Sequence, residues 1–215
     1  MRKFDGFIFD IDGTLASTNE LIFSTFRYIT KKYLNKNISN EEIIELFGPT
    51  EDVILKMFMK DKYEDARKDY FNFYESNHDT MAGIYPGLKE ILEMIKSAGI
   101  PISIYTGKGR KSSIITLTKI GVINYFDLIV TGDDVPEPKP SRLGIDAFVE
   151  RFNLDRDRVL MIGDSPADII AAREANVKMA SVVWDAYAKD KVINMNNSFL
   201  FHTVDELHYF IKQSI

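Results

Sequence analysis

Short, almost uninterrupted apolar runs alternate along the chain with longer stretches in which apolar residues return every three or four positions. The runs are Phe7-Ile8-Phe9, Ile102-Ser103-Ile104-Tyr105, Leu128-Ile129-Val130, Val159-Leu160-Met161-Ile162 and Ala180-Ser181-Val182-Val183. Each is too short for a helix and too uniformly apolar for a strand with one wet face, which predicts strands buried on both sides of a parallel sheet. Between them, Leu88, Ile91, Leu92 and Ile95 follow helical spacing and are closed by Gly99 and Pro101. Leu143, Ala147 and Phe148 mark another helix, and Ile169 with Ala172 a further one. Strand and helix in alternation predict an α/β fold, a doubly wound and mainly parallel Rossmann-like sheet.

Residues 16–82 have a different texture. Ile22, Phe26, Ile29 and Tyr33 make one helical stripe, and Ile43, Ile44 and Phe47 begin a second that breaks at Gly48-Pro49. Val53, Ile54, Met57 and Phe58 make a third stripe, and Tyr63, Ala66, Tyr70, Phe73 and Tyr74 a fourth. No strand pattern interrupts them. The simplest organisation is an α/β core from residues 1–15 and 83–215 with an all-helical cap inserted as residues 16–82; the plainer alternative is that these helices cover one face of the sheet.

Composition narrows the functional classes. The chain has 215 residues, long enough for one large domain or for a core with a smaller insertion. Its net charge of -5 argues against a partner that is a nucleic acid polymer, because counterion release needs a basic face. The absence of cysteine excludes disulfides, thiolate metal sites and thiol nucleophiles. No run approaches the roughly 18 apolar residues of a membrane span. Asp10 and Asp12 would interrupt any secretory leader, so the expected location is cytoplasmic, with no membrane partner.

Ligands of open parallel sheets bind beyond the carboxyl ends of the strands. Asp10-Ile11-Asp12-Gly13-Thr14-Leu15 follows the first run, and Thr106-Gly107-Lys108 the second. Thr131-Gly132-Asp133-Asp134 follows the third, with Lys139 a little beyond, and Gly163-Asp164-Ser165-Pro166-Ala167-Asp168 follows the fourth. Any one of these could simply cap the next helix. Together they deliver carboxylates, a hydroxyl and an ammonium to one edge of one sheet, which a purely structural sheet does not require.

These segments resemble the four motifs of the haloacid dehalogenase superfamily: Asp-x-Asp-Gly-Thr-Leu from Asp10, Thr106, Lys139 in Lys-Pro, and Gly-Asp-Ser-x-x-Asp from Gly163. The stretch from Tyr85 to Trp184 is similar to the phosphoglycolate phosphatase-like branch, and the helical insertion to that branch's alpha-helical cap, with Gly48-Pro49-Thr50 as a cap loop. The resemblance implies a phosphatase in which Asp10 is the nucleophile and Asp12 the general acid and base. It implies that Thr106 donates to a phosphate oxygen and that Lys139 holds both Asp10 and the phosphate. A metal would be held by Asp10, the backbone carbonyl of Asp12 and Asp164, with Asp168 a weaker candidate. If the carboxylates converge they need a cation, and an all-oxygen donor set suits Mg²⁺.

Asp12 favours phosphate chemistry over dehalogenation, because attack on carbon needs no acid for the leaving group; sugar-phosphate mutases of the superfamily share this residue and remain an alternative. A catalytically quiet member of the fold is another, and a receiver-type signalling domain a third, against which the helical insertion after the first strand speaks. The expected substrate is a small soluble phosphorylated metabolite (phosphoglycolate-like, a nucleotide, a sugar phosphate or pyrophosphate), acted on by a monomer or homodimer. Gly107, Lys108, Gly48 and Pro49 are the candidate phosphate and substrate contacts. Arg27, Lys31, Lys32, Lys56 and Lys60 are cap cations of which any could face the cleft, whereas His78, His202 and His208 show no paired spacing and are expected on the surface or in packing.

Overall fold

All five apolar runs form strands. In the computed structural model, which describes residues 2–215, the chain begins with β1 (Gly6–Phe9) and then β2 (Ala16–Ser17), a two-residue strand. Four helices follow: α1 (Asn19–Leu34), α2 (Asn40–Ile44), α3 (Glu51–Met59) and α4 (Tyr63–Met81). The chain returns through β3 (Gly83–Ile84), α5 (Leu88–Ser97), β4 (Ile102–Tyr105), α6 (Arg110–Lys119) and β5 (Leu128–Val130). It continues with α7 (Leu143–Phe152), β6 (Val159–Gly163), α8 (Pro166–Glu174) and β7 (Lys178–Val182). The last elements are α9 (Lys189–Asn194), β8 (Phe199–Phe201) and α10 (Val204–Lys212).

Six of the strands make one sheet in the order β5-β4-β1-β6-β7-β8, every pairing parallel. Parallel neighbours need crossover helices, which cover both faces and explain why the inner strands carry no polar alternation. Phe7, Phe9, Ile102, Ile104, Leu160 and Ile162 face one core with the α5 stripe Leu88, Ile91, Leu92 and Ile95. Ile8, Tyr105, Met161, Ile145 and Phe148 face the other. Each such fully buried side chain contributes about 1.5–3 kcal/mol through removal from water. The sixth strand, β8, was not expected: Phe199-Leu200-Phe201 is only three residues long and sits at the sheet edge, with two of its residues half-buried.

The helical insertion packs about its own cluster of Leu21, Phe26, Ile29, Leu55, Tyr70 and Tyr74. Its entry and exit are tied together. β2 and β3 pair antiparallel, Ala16 with Ile84 and Ser17 with Gly83, so both crossings between core and cap run through one two-stranded neck. The third predicted stripe is corrected in phase. Val53, Met57 and Phe58 are exposed, while Glu51, Ile54, Leu55 and Met59 are buried. The first of these explains the rotation: Glu51 is hydrogen-bonded to the first turn of α6, and residues spaced three, four and eight beyond it necessarily share its face. Among the described residues no helix is long and apolar enough to cross a membrane.

α7 lies against the sheet at Gly144, where an added Cβ would overlap the ring of Tyr105, itself held by a 2.7 Å hydrogen bond from its hydroxyl to the Ser141 carbonyl. Alanine is intrinsically the better helix residue by about 1 kcal/mol. Gly144→Ala is nevertheless expected to lower stability by about 1–3 kcal/mol, because overpacking outweighs propensity. A urea denaturation midpoint no lower than that of the parent chain would contradict this packing.

Candidate active site

The topology places β4, β1 and β6 side by side, so the residues just past their ends are neighbours: Thr106, Asp10 and Asp164. Asp10 is buried and its backbone N–H donates to the Ile162 carbonyl at 2.9 Å. Lys139, beyond β5, reaches across to put Nζ 2.9 Å from Asp10 Oδ1 and 2.5 Å from Asp168 Oδ1. Lys139 is the one side chain that offsets charge on the buried Oδ1 of Asp10 among the described residues. Asp164 is buried too and accepts from the Thr14 hydroxyl at 3.2 Å. Gly13 makes that approach possible: its φ of 75° suits glycine, and a Cβ there would overlap Asp164 Oδ2.

One carboxylate oxygen from each of Asp10, Asp164 and Asp168 lies within 4.8 Å of the others. At that separation, each pair of ionised carboxylates repels by about 3–4 kcal/mol at an effective dielectric of 20. Asp168 has the least capacity left, since one oxygen takes Lys139 and the other accepts from the Ser165 backbone at 3.0 Å and the Ser165 hydroxyl at 2.6 Å, in a capping box that starts α8. Asp10 and Asp164 have more oxygen capacity to spare for a metal. A hard divalent cation fits this donor set on two observations, the close all-oxygen cluster and the burial of three carboxylates that share one ammonium.

Asp12 turns the other way. Both its oxygens lie 3.1 Å from Lys108 Nζ, and the Thr18 hydroxyl donates to one of them at 2.6 Å. Lys108 is enclosed, 4.9 Å from the ring centroid of Tyr74 on the cap helix α4. Burial opposes its charge, but Asp12, Tyr74 and Glu51 outweigh it and hold the ammonium above its ordinary range. Thr106 is buried at the cleft, its hydroxyl accepting from the Lys108 backbone N–H at 3.2 Å, and Gly107 lies beside it.

The cap closes the cleft above these groups, leaving a cavity of about 150 Å³. Gly48 and Pro49 line it as expected from the sequence. None of the five cap cations does. Arg27 pairs with Asn40 and Glu20, Lys32 with Asp69, and Lys56 lies over the Tyr63 ring. The wall is instead apolar and aromatic: Ile22, Phe26, Phe47, Ile54 and Tyr70 from the cap, and Tyr187 from the loop after β7, its ring 5.8 Å from that of Phe47. Sequence reading missed Thr18, Glu51 and Tyr187. The first two stand next to motif residues but carry no spacing signal of their own, and Tyr187 lies in a loop without periodicity. His78 is buried, against Tyr74.

The family model of haloacid dehalogenase-like hydrolases matches residues 7–182. A Caldanaerobacter subterraneus protein provisionally named pyrophosphatase PpaX is 36% identical over 182 residues, covering 85% of this chain and 83% of its own. Pyrophosphatase PpaX of Bacillus pumilus is 28% identical over 200 residues, 93% of each chain. Among solved structures, CbbY from Rhodobacter sphaeroides in complex with phosphate superposes with a TM-score of 0.81 at 20% identity, over 95% of this chain and 96% of that one. A Haemophilus somnus protein assigned by inference as a phosphoglycolate phosphatase gives 0.83 at 22% identity, over 98% and 99%. The chain belongs to the haloacid dehalogenase-like hydrolase family and is a phosphatase of that family.

Burial pushes the Asp10 carboxyl up to about 6, with Asp168 and Asp12 adding to the rise and Lys139 opposing it. Burial raises Asp164 as well, reinforced by Asp10 and Asp168. A raised acid in the folded state binds its proton more tightly than in the unfolded chain, so the metal-free fold loses stability as the pH climbs from about 4 through 6. Asp10→Asn removes that penalty and leaves Lys139 its partner Asp168. In EDTA at pH 7 the variant is expected to be about 1–3 kcal/mol more stable than the parent, with the gap shrinking towards pH 4. Denaturation curves at the two pH values would sink this if the parent were the more stable at pH 7.

Proposed function

We propose that this phosphatase hydrolyses a small phosphorylated metabolite in two steps through an aspartyl-phosphate at Asp10, with Mg²⁺ held by Asp10 and Asp164. The observation that carries the reading is the juxtaposition of buried Asp10 with Asp164 and Thr106 at adjacent strand ends, and with the Lys139 ammonium 2.9 Å away. When bound, the divalent ion would offset the repulsion between the anionic nucleophile and its anionic target. Pyrophosphate, the substrate in the names of the relatives, is one member of the class, alongside phosphoglycolate-like esters, nucleotides and sugar phosphates.

In the first step an Asp10 oxygen attacks phosphorus, the bond from phosphorus to the leaving oxygen breaks, and Asp12 gives its proton to that oxygen. In the second, Asp12 takes a proton from water as the water oxygen attacks phosphorus; the bond to Asp10 breaks and inorganic phosphate leaves. Lys139 stands where it offsets charge on Asp10, and the Thr106 hydroxyl lines the same cleft, where it can donate to a phosphoryl oxygen. Lys108 and Thr18 hold Asp12 in place, apart from the cluster of Asp10, Asp164 and Asp168. Transfer within a sugar phosphate, as in a mutase, would use the same pair of aspartates and differ in the cap.

Phosphate release from p-nitrophenyl phosphate is expected to require a divalent ion, to stop in EDTA and to return on adding Mg²⁺. Asp10→Asn should reduce it by about a thousandfold or more, and Asp12→Asn by about 10²–10⁴-fold. Retained turnover in Asp10→Asn would refute the nucleophile, and acid-quenched enzyme carrying no phosphate on Asp10 would refute the intermediate.

A further inference from the structure

We propose that the cleft accepts a phosphate ester whose leaving group is uncharged and partly apolar, and that Glu51 is the specificity-determining residue that turns away a second anionic group. The inference rests on the phosphatase reading above and narrows it.

Glu51 is the first residue of the cap helix α3, yet its carboxylate is spent on the core. One oxygen accepts from the Gly109 backbone N–H at 2.9 Å and the other from the Ser112 hydroxyl, both in the opening of α6. The N-terminal N–H groups of a helix are where an anionic substituent would otherwise be received. Here a protein carboxylate already occupies that position inside the cleft, and only 7% of Glu51 remains exposed. Gly109 admits it so closely that a Cβ would stand 2.7 Å from Glu51 Oε1.

The remaining charges reinforce the exclusion. Asp10, Asp12, Asp164 and Glu51 line the cleft against two cations, Lys108 and Lys139, and both cations are already in contact with carboxylates. A divalent cation and the dianionic phosphoryl group cancel each other, so a further negative charge on the leaving group meets walls of net negative sign. Among the described residues the cap brings no cation to the cavity; it offers Ile22, Phe26, Phe47, Ile54 and Tyr70, and one neutral polar side chain, Asn19, whose amide donates to Asp185, with Tyr187 packed against Phe47. The cavity of about 150 Å³ has to take the phosphoryl group as well, so only a small part of a leaving group can be enclosed with it.

The test compares kcat/KM for phosphoglycolate and its uncharged isostere phosphoglycolamide, with pyrophosphate and benzyl phosphate in the same series. A substrate turned over too slowly is ranked by its Ki against p-nitrophenyl phosphate. The parent chain is expected to favour the amide over the carboxylate by about tenfold or more, to place pyrophosphate with the carboxylate, and to favour benzyl phosphate over both. Glu51→Gln keeps an acceptor for Gly109 and removes the charge, and should bring the amide-to-carboxylate ratio below about threefold; Glu51→Ala, which also empties the position, should lower it further. Equal or better use of phosphoglycolate or pyrophosphate by the parent, or a ratio unmoved in both variants, overturns the proposal. Asp10→Asn separates the two readings: loss of turnover on all four substrates with the reverse ranking sinks only the specificity assignment, whereas turnover surviving in Asp10→Asn sinks the phosphatase mechanism itself.

Discussion

Like charge crowded into a buried space is the constraint on which the rest of this molecule turns. Three carboxylates converge within 4.8 Å where β1 and β6 end, and the one ammonium among them, Lys139, is shared between Asp10 and Asp168. Such a cluster is held open by everything around it: the parallel register that sets Phe9 beside Ile162, the left-handed Gly13, and the capping box that commits Asp168 to Ser165. The fold stores unfavourable electrostatics at the point where a cation and a phosphoryl group would relieve it. Stability given up at a functional site in this manner is a recurrent trade.

The core was legible because its signals are local and redundant. A buried parallel strand writes itself as an apolar run, and the chemistry of such a sheet sits just beyond each run, so Asp10, Thr106, Lys139 and Asp164 could be found without knowing the topology. The cap was legible as four helices but not in its orientation. Of the third stripe, Val53, Ile54, Met57 and Phe58, only Ile54 is buried, because hydrophobicity alone sets the phase of a nine-residue helix poorly. Its phase is set instead by a charged residue, Glu51, through a contact between residues far apart in the chain. Edge strand β8 escaped notice for a related reason: three residues give a periodicity too little length to register.

Core and cap meet along a defined line. Besides the neck of β2 and β3, the Tyr74 hydroxyl lies 2.8 Å from that of Thr116, and Lys111 sits over the Phe71 ring at 4.4 Å. Tyr74 and Thr116 are buried, so the hydrogen bond between α4 and α6 is shielded from water and costly to leave unmade. α6 thus receives the cap through Thr116 while its opening loop carries Thr106, Gly107 and Lys108 into the cleft. The loop that lines the cleft thus leads into the helix that holds the cap.

This arrangement divides recognition between two surfaces with different physics. At the sheet edge, recognition in the proposed reaction would be electrostatic and blind to whatever the phosphate is attached to, because the carboxylates, the ion they would hold and an ammonium would act on the phosphoryl group alone. On the cap, the cations face away and the cleft is walled by rings and aliphatic side chains, where discrimination comes from shape and from the cost of burying unpaired charge. Glu51 stands at the boundary between the two. Among the described residues it is the one cap carboxylate in the cleft, and it completes the first turn of the core helix that follows the cleft-lining loop. A leaving group carrying a carboxylate or phosphate of its own would have to displace that contact and replace it with nothing cationic from the cap, whereas a neutral one leaves it standing and gains the aromatic wall.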